Sequence, residues 1–176
     1  YAGVSNKILS KKAQKVCVAY PGMEKFFDKK KIIFTGNPVR NQMLLSGVTK
    51  QEAKNHFGLD ENKPTLLIIG GSLGALSINK AITEGIEKLS HIQVIWQTGK
   101  NYIETAKKLS IEGNYVSDFI YEMDKAYAAA DIVVSRAGAL AVSELSLLGK
   151  ASILVPYPHA AEDHQTKNAE SLSKNK

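Results

Sequence analysis

Cysteine is all but missing from this chain. Cys17 stands alone among 176 residues, so no internal disulfide can form, and a reducing compartment fits. Its place in an apolar strand predicts a buried, inert thiol. Neither cysteine nor histidine recurs at a zinc-ligand spacing. No apolar run approaches the roughly 20 residues that a membrane-spanning helix needs. No secretory leader opens the sequence, and Tyr1 in place of methionine predicts an excised piece of a longer protein. Several catalytic patterns are also missing. There is no Asp-x-Asp pair to hold a divalent metal against a nucleotide sugar, and no G-x-S-x-G nucleophile elbow. Gly70, Gly71 and Gly74 do not have the G-x-G-x-x-G spacing of a dinucleotide site, and no Lys-Ser/Thr follows them as in a Walker loop. Arginine is scarce: Arg40 and Arg136 are the two among 23 basic residues.

What remains is an ordinary globular composition, 44% hydrophobic and 23% charged, long enough for one sizeable core. A net charge of +6 invites nucleic acid or an anionic membrane surface as partner. The lysines are spread, however, with one local cluster at Lys25, Lys29, Lys30 and Lys31. No aromatic-interleaved basic stripe accompanies them, so nucleic acid is not the expected partner. Both arginines fall in glycine-containing loops, where a guanidinium suits bidentate phosphate contact.

The chain is organised around residues 131–168, which read strand, tight turn, helix, strand, proline-rich loop, helix. Residues 131–135 form a β-branched apolar run that fits a buried parallel strand. Arg136, Ala137 and Gly138 make a small-residue turn. Residues 139–148 carry Leu140, Leu145 and Leu148 on a packed helix, stopped by Gly149. A strand over 151–155 follows, Pro156 and Pro158 force a loop, and 164–172 read as a helix. In an open α/β sheet, ligands sit beyond the carboxyl ends of the strands. Glu144 on the first helix, with His164 and Gln165 on the second, therefore suits a polyhydroxylated, phosphorylated ligand. A carboxylate accepts two hydrogen bonds from a ribose diol; a solvated helix acid is the plain alternative.

Upstream, residues 1–12 resemble the tail of a helix with Val4, Ile8 and Leu9 on one face, and 15–20 and 31–34 read as strands. Pro38 suits the first turn of a helix to about Leu45, which would set Arg40 among free backbone N–H groups. An ordinary surface arginine fits the same pattern. Thr49 and Glu52 form a capping box for a helix from Lys50. The strand 65–69 delivers a glycine-rich turn, 70–75, into a helix over 75–89, an anion cradle in which Ser72 supplies a hydroxyl or a plain N-cap. A strand at 93–97 and a short strand and loop at 115–120 alternate with helices at 103–109 and 123–130. This order predicts a Rossmann-like α/β fold, a parallel sheet with helices on both faces.

Five ordered motifs, TGNPVR, GGSLGA, WQTGK, ADIVVSRAGALAVSE and PYPHAAEDHQTKNA, resemble the C-terminal half of the MurG family of bacterial peptidoglycan N-acetylglucosaminyltransferases. The resemblance runs from about residue 2 to the end. It implies the GT-B fold, with residues 1–34 as the end of an N-terminal domain and junction, and 35–176 as the UDP-GlcNAc-binding domain, cut short at its C-terminus. It implies transfer of GlcNAc from UDP-GlcNAc to lipid I, making lipid II, with no metal or other cofactor, at the cytoplasmic face of the bacterial membrane as a peripheral protein. By the same resemblance, Arg40 lies near the donor diphosphate, Ser72 binds phosphate, and the Ile120 backbone pairs with uracil. Ala139, Leu140, Ala141, Val142, Ser143 and Glu144 hold the nucleotide, with Glu144 on the ribose hydroxyls. Gln165 binds the sugar, and His164 stands where some members carry another glutamine. The lipid I site and the catalytic base belong to the N-terminal domain, so this segment alone is expected to bind donor without transferring it. The competing expectation is a non-catalytic α/β module that binds phosphorylated ligands or an anionic membrane through its lysines.

Overall fold

The structure, a computed structural model, describes residues 2–40, 43, 45–109, 112–160 and 163–174. The chain divides into two compact units, Tyr1–Val39 and Arg40–Lys176. The first contains α1 (Val4–Lys12) and a parallel pair, β1 (Val16–Val18) and β2 (Ile32–Phe34). Val18 packs with Ala2 and Phe27, and Val16, Met23, Phe26 and Ile32 close round them. Strand alternation then turns Cys17 the other way, and it is exposed rather than buried as its apolar neighbours suggested. A two-stranded sheet covered on one face leaves every second residue uncovered. The Lys31 ammonium donates to the carbonyls of Ser10 and Lys11, satisfying the C-terminal end of α1.

The second unit is built on five parallel strands: β3 (Thr65–Ile69), β4 (Gln93–Gln97), β5 (Tyr115–Ser117), β6 (Ile132–Ser135) and β7 (Ala151–Leu154), in the order β5-β4-β3-β6-β7. Around it lie α2 (Lys50–His56), α3 (Leu76–Gly85), α4 (Ile103–Lys108), α5 (Met123–Ala129), α6 (Ala139–Leu147) and α7 (His164–Lys174). The central strands alternate between two cores. Leu67, Ile69, Ile95 and Val133 face one side with Phe57, Met123, Tyr127 and Leu145. Ile68, Val94, Trp96 and Val134 face the other with Ala75, Ile78 and Ala106. Both faces are covered, so these strands read as continuous apolar runs. Fully burying each such side chain contributes roughly 1.5–3 kcal/mol before entropy is counted. The expected parallel α/β architecture is the one observed.

Local signals act as expected in several places. Thr49 and Glu52 form the reciprocal capping box of α2. The helix expected over 75–89 is α-helical from Leu76 and tightens into a 3-10 turn at Ile86–Leu89. Two expectations change. Leu140 is exposed rather than packed, while Leu145 is buried. Residues 35–40 have no regular structure, so Pro38 does not open a helix. Met43 N–H donates to the Arg40 carbonyl at 3.1 Å. Residues 41, 42 and 44 of the expected helix lie outside the described residues.

Candidate functional site

The sheet register brings the carboxyl ends of the strands to one level. Ile69 pairs with both Gln97 and Ser135, Gln97 with Ser117, and Ser135 with Leu154. After β3 the chain moves outward through β4 to β5, then returns to the other side of β3 as β6. The loops after β3 and β6 therefore part at a topological switch point, the usual place for a ligand. A cleft of about 1140 Å³ opens there.

Seven of the residues singled out from the sequence line this cleft: Arg40, Ser72, Ile120, Leu140, Ala141, Glu144 and Gln165. Ala139, Val142, Ser143 and His164 do not line it. Ser143 instead donates back to the Ala139 carbonyl within α6, at 3.0 Å. Two helices begin at the cleft without a side-chain cap. Ala75 stands at the N-cap of α3 and Gly138 at that of α6. Ser72 is therefore not the cap of α3; it is exposed in the turn that precedes it. Uncapped first-turn N–H groups and the helix dipole favour an anion at both places.

Glu144 is the dominant electrostatic feature. It is 4% exposed, on the face of α6 turned to the cleft. The Tyr127 hydroxyl donates to its Oε2 at 3.2 Å. Arg40 Nη2 lies 3.5 Å from Oε1, close enough for an ion pair but without hydrogen-bond geometry, and Oε1 has no hydrogen-bond partner among the described residues. A buried carboxylate with a free acceptor oxygen is costly unless something donates to it. Burial pushes the Tyr127 phenol well above the ordinary tyrosine pKa, the adjacent Glu144 charge pushes it further, and Arg40 opposes them. Tyr127 therefore keeps its proton and remains a donor.

The second arginine is fixed by its surroundings. Arg136 donates through Nη1 to the carbonyls of Val155 and Pro156, at 3.2 and 3.0 Å, and through Nη2 to the Ser77 hydroxyl at 2.6 Å. Its guanidinium also lies over the Tyr157 ring. It ties the loop after β6 to the loop after β7 and to the start of α3. Gln165 accepts from the Tyr157 N–H at 3.0 Å, which leaves its amide N–H2 end as a donor. Among the described lining residues, Arg40, Arg136 and Lys80 stand against one carboxylate, Glu144.

The sequence did not single out Gln97, Phe119, Met123 or Tyr127, which also line the cleft. Each reads locally as an element residue. Arg136 was noted for its loop, but nothing local revealed its contact with Ser77.

Residues 65–176 match the family described as Glycosyltransferase family 28 C-terminal domain. The chain belongs to this family. It is 57% identical to the UDP-N-acetylglucosamine--N-acetylmuramyl-(pentapeptide) pyrophosphoryl-undecaprenol N-acetylglucosamine transferase of Porphyromonas gingivalis, over 98% of this chain and 48% of that protein. The protein of the same name from Phocaeicola vulgatus is 54% identical over the same shares. The chain thus spans about half the length of the curated relatives it matches. Among solved structures, Acinetobacter baumannii MurG is similar at a TM-score of 0.67 and 32% identity, over 99% of this chain and 48% of that one. The glycosyltransferase of kitacinnamycin has a TM-score of 0.62 at 18% identity, over 92% of this chain and 40% of that one, a likeness of fold alone. The family 28 assignment and the MurG likeness agree with the GT-B expectation for the parallel sheet.

Proposed function

We propose that this chain is the donor-binding part of a UDP-GlcNAc transferase that converts lipid I to lipid II. Residues 35–176 form the UDP-GlcNAc-binding domain in this reading, and residues 1–34 belong to a preceding domain and its junction. The observation that carries the reading is Glu144: a buried carboxylate whose Oε1 has no hydrogen-bond partner among the described residues, in a cleft whose other described charged residues include Arg40, Arg136 and Lys80. Phosphate has no use for such a group, whereas a ribose diol donates two hydrogen bonds to it. A lysine-driven surface binder would need neither Glu144 nor the Gln165 amide, which is why the phosphate- or membrane-binding module is the weaker reading. The names of relatives at 54–57% identity support the donor and the acceptor.

In this reading the diphosphate lies between the glycine-rich turn with Ser72, the start of α3, and Arg40. Uracil pairs with the Ile120 backbone, the residues from Ala139 to Glu144 hold the nucleoside, and Gln165 takes the sugar hydroxyls. Arg40 stands beside Glu144, from which it can turn to an incoming diphosphate and leave Oε1 to the ribose. Attachment is peripheral, at the cytoplasmic face of the membrane; no helix among the described residues is long and apolar enough to cross one. Thermal unfolding with UDP, ADP and UDP-GlcNAc tests the assignment. Stabilisation by UDP and UDP-GlcNAc but not by ADP is expected, and equal shifts with all three would overturn it.

A further inference from the structure

The two walls assigned to base and diphosphate are joined by one side chain. Gln97 ends β4, is 5% exposed, and lines the cleft floor. Its Nε2 donates to the Gly71 carbonyl in the glycine-rich turn at 2.8 Å, and its Oε1 accepts from the Ile120 N–H at 3.3 Å. The orientation of this amide is set by its partners. Gly71 offers only a carbonyl and Ile120 only an N–H, so the reversed amide would place donor against donor and acceptor against acceptor. The Gly71 carbonyl also accepts the Gly74 N–H at 2.9 Å, which closes the turn itself. Gln97 therefore grips the turn at the carbonyl that defines its shape. At its other end it holds the Ile120 N–H, in a peptide whose Phe119 carbonyl accepts from the Ser117 hydroxyl at 2.8 Å.

We propose that Gln97 is a positioning residue that couples diphosphate binding to base selection, a role that rests on the donor-binding reading above. Uracil presents an N–H at N3 and a carbonyl at C4, and cytosine reverses both groups. With its N–H held by Gln97, Ile120 has its carbonyl left for the base: uracil donates to it from N3–H, whereas N3 of cytosine carries no proton, and the carbonyl discriminates only while Gln97 fixes the residue. The same amide keeps the glycine-rich turn open towards the start of α3. Its two ends separate the two effects. In Gln97→Glu, titrated at a pH high enough to ionise the new side chain, the carboxylate still accepts from Ile120 N–H but repels the Gly71 carbonyl. In Gln97→Met both bonds are lost.

The test is calorimetric titration of the chain and the two variants with UDP, CDP and uridine, alongside thermal unfolding of each. Losing one or two buried hydrogen bonds is expected to lower both the UDP-over-CDP and the UDP-over-uridine preference of Gln97→Met by about tenfold. Gln97→Glu should lose the UDP-over-uridine preference and keep UDP-over-CDP near its original value. A purely structural role would lower the melting temperature and weaken all three ligands in parallel, with both ratios unchanged, and would overturn the proposal. Loss of the UDP-over-CDP preference in Gln97→Glu would overturn it equally, by removing the division between the two ends. If the unsubstituted chain shows no preference for UDP over CDP, the donor-binding reading itself falls. If that preference stands and both variants retain both ratios, only the role of Gln97 falls.

Discussion

At the scale of single residues, Glu144 in the proposed reading sets ligand binding against stability. Its carboxylate is buried, and one oxygen has no hydrogen-bond partner among the described residues, which the fold tolerates through Tyr127 and Arg40. Two ribose hydrogen bonds to an ionised carboxylate contribute roughly 1.5–3 kcal/mol each when buried. Glu144→Ala is therefore expected to weaken UDP binding by at least about tenfold in a calorimetric titration. Glu144→Gln removes the buried charge and keeps an acceptor for Tyr127. It should weaken UDP binding less and raise the melting temperature; an unchanged UDP affinity in both variants would show that the carboxylate lies outside the ligand site. Tyr127 adds a pH signature. Its pKa is raised in the folded state by burial and then by Glu144, so the fold favours the protonated phenol. That contribution is complete below the unfolded tyrosine value of about 10 and is lost as pH rises beyond it. Tyr127→Phe should shrink the fall in melting temperature between about pH 9 and 11, measured against the unsubstituted chain.

At the scale of elements, the glycine-rich turn after β3 and the turn after β4 are docked backbone to backbone. A Cβ on Gly74 would stand 2.0 Å from the Thr98 carbonyl oxygen, and one on Gly99 would stand 2.1 Å from the Leu73 carbonyl oxygen. Both glycines also have positive φ, +75° and +79°. The Thr98 carbonyl that a side chain at Gly74 would meet is held from behind. Asn79 donates to Thr98 O at 2.8 Å and accepts from the Trp96 indole at 3.1 Å. That carbonyl cannot retreat, so Gly74→Ala combines αL strain of about 1–3 kcal/mol with displacement of the turn. A lowered urea midpoint together with weaker UDP binding is the expected outcome. A variant with the original midpoint would mean that the two turns separate freely. The GGSLGA turn was legible in the sequence as a strand-to-helix anion cradle. The QTG segment was legible only through family resemblance, because its task is to support a turn far away in the chain.

At the scale of the whole molecule, the sheet order makes the site. In the proposed reading, charge compensation for a diphosphate falls to Arg40, to the start of α3 and to the basic residues of the cleft. Among the described residues no group of three metal-ligating side chains is gathered to hold an ion. EDTA is accordingly expected to leave the affinity for UDP-GlcNAc unchanged in calorimetry, and loss of binding on chelation, restored by magnesium or manganese, would refute metal-independent binding.

The amino-acid sequence by itself determined the elements of the second unit and their kind. The β-branched runs of β3, β4 and β6, the Thr49–Glu52 capping box and the glycines after strands are signals between near neighbours, and they survive into any fold that keeps those segments. It also determined the parallel architecture, since strands alternating with helices have few other solutions. The tertiary structure alone decided which side chains meet. Arg40 reaches Glu144, Tyr127 aims one oxygen of that carboxylate by occupying the other, Arg136 reaches Ser77, and Gln97 bridges Gly71 and Ile120. Cys17 became exposed because only one face of its two-stranded sheet is covered. The reason is common to all of these. Periodicity records which face of an element is buried, but not which strand lies beside it. Strand order is set by long-range pairing, and a site at a switch point is made of residues that only that pairing brings together.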